Sequence, residues 1–134
     1  MRPIATLFVA TGAFFALCGM VWGIQMAATG DHTLSPAHGH LNLVGFVLMS
    51  IFGAYYALTP RAAATGLARL HYGLSVLAVL SLAPGIALAI VGRTEVLALL
   101  GSFLTLASMA LFLFVVLRHG VGEEGRAAMA PSPA

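Results

Sequence analysis

Charge is scarce in this chain. Only 7% of its 134 residues are Asp, Glu, Lys or Arg, where a soluble domain carries about 25%. With 60% hydrophobic residues, no soluble surface can be built, and the chain is expected to live in a bilayer. A single cysteine, Cys18, lies in an apolar run. That excludes a disulfide framework and a thiolate metal cluster, and Cys18 reads as a small packing residue. A net charge of +2 supplies no basic stripe for nucleic acid. No acidic residue falls in the interior of an apolar segment and no pair of segments is broken, so nothing resembles a transporter.

What the chain does hold is apolar sequence in four blocks. A membrane helix needs about 20 predominantly apolar residues, and four segments qualify: Pro3 to Ala28, Pro36 to Leu58, Leu67 to Val91 and Glu95 to Leu117. The breaks are short and polar, at Thr29–Thr33, Thr59–Arg61 and Gly92–Thr94. The fold class expected is all-α, a four-helix transmembrane bundle. One domain covers residues 1–118 and a flexible Gly/Ala/Pro tail covers 119–134. The first block is too long for a cleaved signal peptide led by Arg2.

Arginine placement sets orientation. If the chain starts inside, Arg2, Arg61, Arg69, Arg118 and Arg126 lie on the cytoplasmic side and only Arg93 lies opposite. Both termini are therefore expected to be cytoplasmic, in a bacterial inner membrane. Pro36 suits the first turn of the second helix, with Ser35 as its N-cap. The Gly19-x-x-x-Gly23 pair and Gly12, Ala16, Gly45 and Gly53 suit close helix packing. Pro84-Gly85 predicts a kink in the third helix.

The unusual residues are histidines. Imidazoles are costly in lipid and mark functional candidates. His38 and His40 open the second block, near the outer face on this orientation. Positions i and i+2 of a helix stand about 200° apart, so the two rings face opposite sides and cannot share one ion from a regular helix. They suit a helix wedged between two cofactor pockets. Gly39, between them, weakens the helix but leaves room for a flat macrocycle. The plainer reading is a pair of interfacial histidines bonded to water or carbonyls. His32, beside Asp31, reads as a solvated loop residue, and His71, near the cytoplasmic end of the third block, as interfacial or hydrogen-bonded. Tyr55 and Tyr56 read as an interfacial tyrosine belt or, less directly, a quinone site. Trp22, Phe15, Phe46 and Phe52 are candidates to line a macrocycle, or to face lipid or core.

The run Ala37-His38-Gly39-His40-Leu41-Asn42-Leu43-Val44-Gly45, followed by Ala54-Tyr55-Tyr56 and Pro60, resembles the haem-copper oxidase superfamily, nitric oxide reductases included. His40-Leu41-Asn42-Leu43 is similar to the segment whose histidine ligates the low-spin haem. The Ala-His-x-His pattern is similar to that of a later helix, where the two histidines serve two haems. The catalytic subunit of that family is built from arcs of four helices around a threefold, and this chain resembles one such repeat.

The resemblance implies haem b held by bis-histidine ligation. His38 and His40 come from neighbouring subunits, most simply in a homotrimer, with a dimer as the next choice. Asn42 would supply a hydrogen bond around the site and Arg93 would neutralise the propionates. No Cys-x-x-Cys-His is present, so c-type attachment is excluded. The chain carries no separate copper-site histidines. A bis-histidine iron has no open position, which implies electron transfer with a quinone or a cytochrome rather than gas chemistry. The competing expectations are a copper or zinc site built from His38, His40, His32 and Asp31, and a cofactor-free accessory subunit.

Overall fold

The structure, a computed structural model, describes residues 3–123 and 131–132. Four long helices account for nearly all of them: α1 (Ile4–Thr29), α2 (Ser35–Leu58), α3 (Gly66–Ile90) and α4 (Val96–His119). A one-turn helix, Pro60–Ala63, joins α2 to α3, and no strand occurs among the described residues. Each long helix is apolar and long enough to cross a membrane. At 1.5 Å per residue they run roughly 36–39 Å, more than the ~30 Å hydrocarbon core of a bilayer. This is the all-α, four-span architecture expected from the four apolar blocks, with helix ends within two residues of those blocks.

Local chemistry sets the ends. Gly30 closes α1 in the left-handed conformation (φ 70°), and its N–H donates to Met26 O at 3.0 Å. Pro36 occupies the first turn of α2 as expected, but the N-cap is Leu34. Ser35 is already helical, and its backbone N–H donates to His32 O at 3.0 Å. Thr65 caps α3, its Oγ1 accepting from Ala68 N at 3.3 Å. The helix carries Pro84 in its interior and continues to Ile90.

The helices pack in chain order, α1 on α2, α2 on α3 and α3 on α4. The α3–α4 hairpin is the tightest. A Cβ on Gly101 would sit 2.5 Å from both Cα and N of Leu82, and one on Gly85 would sit 2.6 Å from Leu97 C. Both obstacles are backbone, which cannot swing aside. Gly101→Leu is therefore expected to force α3 from α4 and to destabilise the bundle by about 1–3 kcal/mol, read as a lower Tm in detergent micelles.

Two apolar clusters fill the interior. Phe8, Met49, Phe52, Tyr55, Tyr56, Ala68 and Val115 pack at the end of the bundle where α1 begins. Phe15, Val44, Val79 and Leu82 pack near its middle. Tyr55 and Tyr56 are thus core residues, 6% and 1% exposed, rather than a belt at the membrane surface. The α2–α3 connection grips the end of α4. Tyr55 Oη donates to Gly120 O at 2.8 Å, Gly122 N to Thr59 Oγ1 at 3.0 Å, and Arg61 Nε to His119 O at 2.9 Å. A cation on the last carbonyls of a helix is favourable. The expected tail at 119–134 therefore begins docked, and residues 124–130 and 133–134 lie outside the described residues.

One feature of α2 has no counterpart in the sequence expectations. Leu43–Leu48 is π-helical, a wider turn that often accompanies function. It packs between α1 and α3: a Cβ on Gly45 would meet Phe15 Cβ at 3.0 Å and Val79 Cγ1 at 3.2 Å.

Candidate functional site

The π-helical turn follows directly on the histidine pair. His38 turns towards α1. Its Nε2 lies 2.9 Å from Gly19 O and 3.2 Å from Asn42 Nδ2. The shorter contact is to a carbonyl, which only accepts, so Nε2 carries the proton there and the Asn42 amide stands beside it without donating to it. The Trp22 ring meets it edge-on, with centroids 5.9 Å apart. Asn42 Nδ2 donates to His38 O at 2.9 Å, which holds the amide against Gly19. A Cβ on Gly19 would lie 2.7 Å from Asn42 Nδ2, and one on Gly23 would lie 3.2 Å from His38 Nε2. The glycine pair of α1 is therefore a groove that receives His38 and Asn42.

His40 faces away. It is exposed, and its Nδ1 lies 2.7 Å from Pro36 O, so Nδ1 carries the proton and Nε2 keeps a free lone pair. That is the tautomer a metal-ligating imidazole adopts, with one N–H fixed on a backbone carbonyl and the other nitrogen available. Gly39 is exposed beside it, and a Cβ there would find nothing within 4 Å. Leu43, Val47 and Ile51 continue the same exposed stripe of α2. The two histidines thus stand on opposite sides of the helix, as the i, i+2 spacing predicts.

The other expected residues fall into place around them. Arg93 is exposed in the α3–α4 turn, at the same end of the bundle. Phe15 and Phe52 are core, 6% and 2% exposed, while Phe46 stays 40% exposed. Trp22 belongs to the His38 side, not the His40 side. Among the described residues no three His, Cys, Asp or Glu side chains gather closely enough to hold a metal ion, so the expected His38, His40, His32 and Asp31 cluster does not assemble within one chain.

Asp31 is held elsewhere. Thr33 donates both its hydroxyl, at 2.6 Å, and its N–H, at 3.0 Å, to Asp31 Oδ1. These bonds, the hydroxyl first, hold the carboxyl below the usual aspartate range. A depressed folded value means that the turn is stabilised above the unfolded pKa and loses that support as pH falls through the folded one. Thr33→Ala keeps the N–H but loses the hydroxyl, and is expected to raise the Asp31 carboxyl midpoint towards the ordinary aspartate range in an NMR pH titration.

A second polar pair lies at the opposite end, unforeseen as a buried site. His71 is fully buried. Its Nδ1 pairs with Tyr56 Oη at 3.0 Å, and its Nε2 has no partner among the described residues. The ring sits among Phe8, Phe52 and Phe112, with centroids 5.2, 4.5 and 5.6 Å away. The hydrogen bond fits the expectation for His71, but the residue is not interfacial. The signal that could have found the pair is the position of His71, one turn inside the third apolar block, at about the depth of Tyr55 and Tyr56 on the second.

Comparison of the chain with protein-family models, with curated proteins and with solved structures gives no match.

Proposed function

We propose that this chain is a multi-pass membrane haem b protein that carries electrons, with His40 as an axial iron ligand. The observation that carries the reading is the state of that side chain. Its Nδ1 proton is fixed on Pro36 O, its Nε2 is free, and Gly39 leaves open space beside it. The donor set fits the group: neutral imidazole is an ordinary axial ligand of haem iron, and Leu43 and Val47 give an apolar surface for a macrocycle. The resemblance of residues 37–45 to haem-copper oxidases supports the same choice.

Roles follow from position. His38 and Asn42 fix the ligand-bearing turn of α2 against α1. Arg93, in a turn at the same end, is the cation for propionate groups. The His38–His40 pairing across a trimer gives way here to His40 as the available ligand, because His38 Nε2 already donates to Gly19 O. Imidazoles on both faces would leave haem iron no open coordination site, and the chemistry the group would supply is one-electron transfer. The arginine distribution supports both termini cytoplasmic and His40 near the outer face; a bacterial inner membrane is part of the proposal.

Haemin titration of the purified chain in lipid nanodiscs tests the reading. Saturable binding, with a Soret band that sharpens as the site fills, is expected. Uptake that rises linearly with haemin, as with empty nanodiscs, would contradict it.

A further inference from the structure

We infer that the second axial imidazole is His40 of a second copy of this chain, related to the first by a twofold axis through the iron. The inference rests on the haem reading above and names the partner that completes its site.

One chain cannot fill both axial positions by itself. His38 Nε2 is committed to Gly19 O on the far side of α2. His71 is fully buried at the opposite end of the bundle, paired with Tyr56. His119 closes α4 at that same distant end. His32 lies in the α1–α2 loop rather than on the α2 stripe. Each chain therefore offers one free imidazole on this face, and an iron with two axial positions needs two chains.

A contact in which each copy supplies the same residue is isologous, and it closes at two copies. The remainder of the face suits that approach. Gly39 has no neighbour within 4 Å of a would-be Cβ, so the backbone beside His40 is open to a flat group. Leu43, Val47 and Ile51, 53%, 41% and 50% exposed, extend the apolar stripe towards the middle of α2. An exposed imidazole on such a stripe is costly in lipid, and a shared iron removes that cost from both copies at once. The arrangement also assigns His38 a purpose without iron: it holds α2 on α1, so that His40 is presented outward.

The test uses the full chain in nanodiscs, loaded with haemin. Three readouts are taken together: haem per chain, the mass of the intact complex and the electron paramagnetic resonance of the ferric form. One haem per two chains, a two-chain mass and a low-spin signal are expected. Folded His38→Ala loses a positioning contact and no ligand. It is expected to bind haemin more weakly than wild type but, once saturated, to show the same stoichiometry and the same signal, and where this variant fails to fold, the three wild-type readouts decide alone. One haem per chain, a high-spin signal, or a three-chain complex whose haem is lost in folded His38→Ala would overturn the twofold site while leaving the haem reading standing. Absence of any saturable haem would overturn both.

Discussion

On the haem reading proposed above, His40→Ala is expected to abolish haem binding and keep the fold. The side chain is exposed, and among the described residues its only hydrogen bond is to Pro36 O in its own helix. Substitutions at such positions usually stay within about 0.5 kcal/mol, so the Tm in micelles should barely move. The effect on cofactor is of another order. Removing a hydrogen-bond partner behind a metal ligand typically costs about 10–100-fold in affinity, and removing the ligand itself should exceed that. In the haemin titration, the variant should show no saturable site at wild-type concentrations. His38→Ala should behave in the opposite way. It surrenders a bond to Gly19 O and an edge contact with Trp22, lowering stability by about 1 kcal/mol or more while haem binding survives. The pair separates ligand from support by two residues of one helix.

The second large effect concerns the buried pair at the other end. His71→Ala is expected to destabilise the bundle by about 2–4 kcal/mol, in the range of large-to-small core substitutions. It opens a void among Phe8, Phe52 and Phe112 and strips Tyr56 Oη of its partner. Tyr56→Phe alone should cost about 1–3 kcal/mol, because it leaves both ring nitrogens of His71 buried without partners. The double variant Tyr56→Phe/His71→Phe removes donor and acceptor together, and replacing both partners by apolar groups of similar shape is nearly neutral or stabilising. Unfolding in mixed micelles should rank the three in that order. A double variant as unstable as His71→Ala would show that the cage depends on the imidazole shape and not on its pairing.

How much of this was legible in sequence depends on the length scale. The spans were legible because lipid demands about 20 apolar residues and the breaks between them are short and polar. The divergence of His38 and His40 was legible because helix geometry fixes i and i+2 far apart. Which ring turned inward was not legible. That depends on the groove at Gly19 and Gly23, and the glycine spacing states only that something packs closely there. The π-helical turn at Leu43–Leu48 has no periodicity of its own, and it occurs where α1 and α3 crowd Gly45. Tyr55 and Tyr56 resembled a membrane belt by position, yet the short Pro60–Ala63 link folds the α2–α3 connection over them and onto the end of α4. Ser35 had the chemistry of a cap, but Leu34 takes that position while Ser35 N pairs with His32 O. The first three misses are cases of tertiary contact overriding a local preference; the last is one local hydrogen bond displacing another.

The central claim is that His40 holds haem iron. Its most direct test is the optical spectrum of the full-length protein, purified without added haemin from cells supplied with a haem precursor, air-oxidised and then reduced with dithionite. The account predicts a sharp reduced α-band of low-spin haem b, present in wild type and His38→Ala and absent from His40→Ala. A colourless wild-type protein, or a His40→Ala protein with an undiminished band, would contradict it.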